Sequence, residues 1–156
     1  MKKSDNHTII MGIGNNGRQD DGLGWAFLDF LREEHTGFDL EYRYQLQIED
    51  AECISKYDRV IFVDATKEPT EEGFYFEACQ PLEKYNFSTH ALTPETILYI
   101  SKRLYYHQAK AFVLAIEGDC WGLRMGLSSK GTLNLNKAKS FFEDTILSNV
   151  IKEQKN

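Results

Sequence analysis

The stretch Thr8–Glu34, TIIMGIGNNGRQDDGLGWAFLDFLREE, carries the reading of the fold. Thr8 to Ile13 is a short apolar, β-branched run closed by glycine, the pattern of a buried strand. From Leu23 to Glu34, Leu23, Phe27, Phe30 and Leu31 recur at helical spacing, which predicts an amphipathic helix. Between them lies a turn, GIGNNGRQDDGLG (Gly12–Gly24), with many glycines and two adjacent aspartates.

Outward from this unit the pattern keeps alternating. Phe38–Leu46 reads as a half-buried strand and Glu49–Lys56 as a short helix. Arg59–Ala65 (RVIFVDA) is a buried strand that ends at an aspartate, and Gly73–Cys79 (GFYFEAC) an edge strand. Pro94–His107 is a helix with Thr93 as N-cap and Pro94 at its first position. Ala111–Ile116 is a third buried strand, and Asn136–Lys152 a closing helix. Strands alternating with helices over short connections predict an α/β fold with a mostly parallel sheet. The 156 residues, with 42% hydrophobic side chains, are expected to form one domain (1–156) with frayed ends at Met1–Asn6 and Glu153–Asn156.

Charge narrows the function. With 24 acidic and 18 basic residues the formal charge is −6, which argues against broad binding to nucleic acid or an anionic membrane. Cys53, Cys79 and Cys120 are odd in number and widely spaced, so they are expected to be reduced thiols rather than a disulfide framework or a structural zinc site. The apolar run near the N-terminus is too short for a signal peptide, and no stretch reaches the ~20 apolar residues of a membrane span. A cytoplasmic protein is expected.

Gly12, Gly14 and Gly17 spell GxGxxG, which on its own suggests a dinucleotide turn with pyrophosphate at a helix N-terminus. Asp20 and Asp21 oppose that reading, because they stand where phosphates would approach. One of the two, Asp20, is expected to cap or support the helix start. Asp21 is then free for another task. Asp64 ends a strand, where functional groups of open α/β sheets gather. His90 lies in a loop, NFSTHALTP, before a helix. Asp21, Asp64 and His90 make a two-carboxylate, one-histidine set suited to a borderline divalent cation such as nickel or zinc, with coordination positions left open. His7, His35 and His107 read as ordinary solvated side chains. The segment Ile116–Ser129 (IEGDCWGLRMGLSS) reads as a surface loop needing positive φ at Gly118, Gly122 and Gly126.

These blocks resemble the hydrogenase maturation endopeptidases. GIGNNGRQDDGLG is similar to their first signature, G-x-G-N followed by D-D/E-G-x-G, through Asn15, Arg18, Asp20, Asp21, Gly22 and Gly24. RVIFVDA resembles the strand ending in D-A, STHALTPETIL the T-H block before a helix, and IEGDCWGLRMGLSS the fourth, glycine-rich block. Asn16, Gly17 and Gln19 depart from the first signature, Gln19 standing where glycine is usual, and Cys120 and Trp121 are individual to this chain. The resemblance implies a three-layer α/β/α sandwich, phosphorylase/hydrolase-like, forming a single peptidase domain. It implies an aspartic-type endopeptidase that removes the C-terminal extension of a [NiFe]-hydrogenase large-subunit precursor after nickel insertion, working as a monomer. Its nickel would be carried by the substrate and touched by Asp21, Asp64 and His90; zinc or cadmium could occupy the same place. Asp20 or an oxygen of Asp21 would serve as base. The alternatives are a nucleotide-binding module built on Gly12, Gly14 and Gly17, and a non-catalytic relative that binds a partner without cutting.

Overall fold

The computed structural model describes residues 7–35, 37–83 and 92–147. Five strands form one sheet: β1 (Thr8–Ile13), β2 (Asp39–Arg43), β3 (Arg59–Thr66), β4 (Phe74–Cys79) and β5 (Lys110–Glu117), in the order β2-β1-β3-β5-β4. All neighbours are parallel except β4, which runs antiparallel to β5 at one edge. The α-helices are α1 (Leu23–Glu34), α2 (Glu49–Ile54), α3 (Pro94–Tyr105) and α4 (Ser129–Phe141).

The period-two alternation of the strands sorts the core into two layers. Ile10, Ile61, Val63, Leu114 and Ile116 face α1 and α4, where Phe27, Leu28, Leu31, Leu135 and Ala138 cover them. Ile9, Met11, Val60, Phe62 and Ala111 face the other way, under Ala51, Ile54, Ile97, Leu98 and Ile100 of α2 and α3. The three-layer α/β/α sandwich and its mainly parallel sheet therefore stand as expected. A helix-by-helix reading of caps also holds for α3, whose Thr93 hydroxyl accepts from the Thr96 amide. No helix of the described residues is long and apolar enough to cross a membrane.

Several boundaries shift from the sequence reading by one or two residues, and the second strand and the last helix by more. The second strand stops at Arg43 because the Arg43 carbonyl is taken by the Gly14 amide and the Trp25 indole, while Leu46 turns into the α2/α3 layer. The last helix starts at Ser129, seven residues before Asn136. Ser128 caps it, with its hydroxyl accepting from the Gly131 amide. Gly131 in the first turn and the buried Asn134 disguise the apolar stripe; the Asn134 amide group donates to the Glu117 carbonyl. After Phe141 the chain widens into a π-helical turn, Phe142–Leu147. The expected extension to Lys152 and the frayed ends lie outside the described residues.

α1 approaches the sheet closely at Gly24. A Cβ there would sit 2.5 Å from the Val63 carbonyl oxygen and 2.8 Å from that of Ile13. This contact sets the height of α1 over β1 and β3, and with it the position of the turn that feeds the helix. Gly24→Ala should therefore lower the urea midpoint by an amount equivalent to about 2 kcal/mol, the usual order for overpacking. An unchanged midpoint would show that α1 can slide and does not fix the turn.

Candidate functional site

The β1–α1 turn is shaped by backbone before any functional group enters. Gly14 has φ +148°, and a Cβ on it would lie 2.0 Å from the Asp21 carbonyl oxygen. That carbonyl accepts from the Asn15 amide, and the Asp21 amide donates to the Arg18 carbonyl. A short 3-10 turn, Gln19–Gly22, then runs directly into α1. Successive residues of so tight a turn point in different directions, so Asp20 and Asp21 part company.

Asp20 is fully buried. Its carboxylate accepts from the amides of Asp119 (2.7 Å), Cys120 (3.0 Å) and Ser128 (2.8 Å) and from the Ser128 hydroxyl (2.6 Å). Burial pushes the carboxyl pKa up, but the donors from Ser128, Cys120 and Asp119 outweigh it and leave the group below its ordinary value. Gly118 and Gly131 make room for it, since a Cβ on either would come within 2.6 Å of the Asp20 side chain. Asp20 therefore supports the site by clamping the β5–α4 connection, rather than by capping α1. With both oxygens engaged by donors and no exposure, it is not placed to serve as the base suggested from sequence. The same connection corrects the glycine reading: of Gly118, Gly122 and Gly126, only Gly126 has a positive φ.

Asp21 remains half-buried at the start of α1. Its pKa is raised by burial, against the pull of Arg18, the Asn15 amide and Lys67. Asp64 lies on β3, paired in register with Ala115 of β5. It shares strand parity with Val60 and Phe62, so it points to the α2/α3 side of the sheet. Burial pushes its carboxyl up to about 7, the Ala65 amide (2.8 Å) draws it down, and the Asp21 charge raises it further. The strand continues two residues past Asp64 to Thr66, and the Asp21 charge, from the turn after the adjacent parallel strand β1, acts on the Asp64 carboxyl. Both would prefer a cation nearby to solvent exclusion alone. His90 lies outside the described residues. Among the described residues no cluster of three metal-type side chains occurs.

Two further residues, Gln19 and Glu117, hold this edge together. Gln19 occupies a left-handed backbone conformation, φ +52°, where glycine is the easier residue; such a position costs on the order of 1 kcal/mol or more. Its amide donates to the Arg124 carbonyl and its side-chain oxygen accepts from the Gly122 amide, both at 2.9 Å. Glu117, closing β5, accepts from Lys130 and from the amide and hydroxyl of Thr70, each at 2.8 Å. Those partners, the Lys130 ammonium first, hold its pKa at about 2. Neither the bond of Ser128 to Asp20 nor the partners of Glu117 could be read from local pattern, since both depend on residues distant in sequence. His35 and His107 are not simply solvated: His35 meets Glu143 at 3.0 Å, and a His107 ring nitrogen lies against the Tyr57 carbonyl.

Among solved structures the chain is similar to several that are named as hydrogenase maturation proteases. The [NiFe] hydrogenase maturation protease HycI from Thermococcus kodakarensis superposes with a TM-score of 0.67 at 22% identity, over 94% of this chain and 93% of that one. HybD from the same organism gives 0.60 at 18%, covering 88% and 97%. The hydrogenase maturating endopeptidase HybD from E. coli gives 0.62 at 14%, covering 89% and 93%. The chain shares their fold. No family model matches it, and no curated protein sequence does.

Two outcomes follow from the carboxylates. Asp20→Asn places an amide NH2 against at least one N–H donor whichever way it turns, and should cost about 3 kcal/mol in urea unfolding. Because the folded pKa of Asp20 lies below 3.8, its contribution is complete above that value and fades as the pH falls through the folded pKa. The variant should lack that acid loss. Asp64 has the opposite sign: its folded pKa of about 7 exceeds 3.8, so the native state loses stability as pH rises from about 4 to about 7. Asp64→Asn should raise the thermal midpoint at about pH 8 and leave it unchanged near pH 4; an equal gain at both would contradict the burial argument.

Proposed function

We propose that this chain is an endopeptidase that removes the C-terminal extension of a [NiFe]-hydrogenase large-subunit precursor, after nickel has been inserted. In this reading it works as a cytoplasmic monomer. The observation that carries the reading is the pair Asp21 and Asp64, one in the turn after β1 and the other near the end of the adjacent strand β3, with the Asp21 charge acting on Asp64, in a fold shared with structures named as hydrogenase maturation proteases. Asp21 and Asp64 supply hard oxygen donors and His90 an imidazole, a set that fits nickel and leaves positions for the substrate's own ligands.

The metal belongs to the substrate, and as a divalent ion it supplies Lewis-acid polarisation of a carbonyl or water. Asp21 and Asp64 orient it through their oxygens. A carboxylate oxygen of Asp21 that is not engaged with the metal takes the proton of the attacking water. Selectivity comes from a difference in binding: precursor without nickel brings no anchor for the carboxylates and binds poorly.

The nucleotide-binding alternative finds no support in the geometry. Gly24, rather than Gly17, provides the close helix–strand contact, and the space beside Gly14 and Gly17 is taken by the Asp21 carbonyl and the Asn15 side chain.

Incubation with nickel-loaded and nickel-free precursor, followed by mass measurement of the large subunit, tests the proposal. The loaded precursor should be shortened and the nickel-free one left whole. Asp21→Ala and Asp64→Ala should each slow cutting by about a hundredfold or more. Equal cutting of both precursors would remove the nickel reading, and no cutting of either by folded protein would remove the peptidase reading.

A further inference from the structure

The β5–α4 connection presents two large apolar side chains to solvent. Leu123 is 79% exposed and Met125 70%, with the exposed Arg124 between them. Single exposed hydrophobic residues are common and need no explanation. This pair differs because the backbone beneath it is fastened. The Arg124 carbonyl accepts from Gln19, the Gly122 amide donates to the Gln19 side chain, and the Cys120 carbonyl accepts from the Asp20 amide. On both sides of these bonds the connection is anchored on the buried Asp20 carboxylate, through Asp119, Cys120 and Ser128. Trp121 lies under the Lys67 ammonium, 5.2 Å from its ring centre. Gln19 takes a left-handed backbone to make its contacts. Thus the connection is held in one shape while its apolar tips remain uncovered, and Leu127 alone turns inward to the core.

A surface already ordered loses little entropy when a partner covers it. Its charge indicates the partner. Arg18 and Arg124 are exposed cations on a chain of net charge −6. A second copy would bring −6 against −6, whereas a segment mixing apolar side chains with carboxylates meets both the apolar tips and the arginines.

We propose that residues 122–125 form a docking surface for an apolar, acidic segment of the polypeptide whose bond is cut at Asp21 and Asp64. The proposal rests on the peptidase reading and adds the part of the chain that grips the substrate away from the scissile bond. Gln19 and Asp20 fix the distance between that grip and Asp21, since all three lie in one turn.

The test uses the full chain and the nickel-loaded large-subunit precursor of the same organism. Steady-state cutting, calorimetric binding and thermal midpoints are compared for the wild type, Leu123→Ser/Met125→Ser and Arg124→Glu. Both variants alter only exposed side chains, so their midpoints should match the wild type. KM and Kd should rise about tenfold while kcat stays within about twofold, the pattern of lost uniform binding by interface anchors. Unchanged KM and Kd in both variants would overturn the proposal while leaving the peptidase reading intact. A wild type that neither binds nor cuts the precursor would overturn the peptidase reading and this surface with it. A wild-type dimer in sedimentation that the double variant breaks would assign the surface to self-association and likewise overturn the proposal.

Discussion

The carboxylate of Asp20 is the constraint on which the rest of this edge depends. A buried ion is costly unless every lone pair finds a donor, and here three amides and one hydroxyl converge on it. Those donors belong to the far end of the chain, about a hundred residues away in sequence, so one side chain joins the turn after β1 to the connection after β5. The glycines at 118 and 131 are the complement of that choice, since they leave the volume the carboxylate occupies. The cap at Ser128 is part of the same unit: its hydroxyl donates to Asp20 and accepts from Gly131, so the start of α4 and the burial of Asp20 are one event.

Adjacent aspartates acquire opposite chemistry from this arrangement. Asp20 is held below its ordinary pKa by donors, and Asp21 is raised above its own by burial. The cause is geometry: a 3-10 turn sends one side chain into the body of the protein and leaves the next at the strand ends. Environment, rather than residue type, assigns the roles. Gln19 completes the turn at a backbone angle that glycine would adopt more easily, and its two hydrogen bonds to the β5–α4 connection offset that strain.

Much of the fold was legible because local pattern and tertiary demand agree. The run TIIMGI and the helix from Leu23 to Glu34 match the structure residue for residue, and Thr93 with Pro94 marked the start of α3. Legibility failed where polar residues serve the interior. Asn134 and Gly131 lie on the buried side of α4, so periodicity placed the helix start seven residues late. In the candidate site, Asp64 could be seen because a carboxylate interrupts an apolar run. The separation of Asp20 from Asp21 could only be guessed, since it depends on donors supplied from positions 119, 120 and 128. Glu117 gave no local signal, because its partners Thr70 and Lys130 are distant in sequence and become neighbours only when β3, β5 and α4 assemble.

The energetics of the two edge carboxylates bear on why such a site would be kept. Asp64 is held near neutrality by burial and by Asp21, so in isolation the pair weakens the folded state at and above neutral pH. A resident cation would relieve that cost permanently, but it would also fill the positions that a substrate must occupy. A cation delivered by the substrate relieves the same cost only in the complex, and the relief then appears as binding affinity. In the function proposed above, the cost of the buried Asp64 carboxylate, added to by the Asp21 charge, would be what distinguishes a loaded substrate from an empty one. The neighbouring Arg18 and Lys67, whose charges act on Asp21, offset part of the negative field at that carboxylate and so lower its pull on a free ion that brings no other contacts.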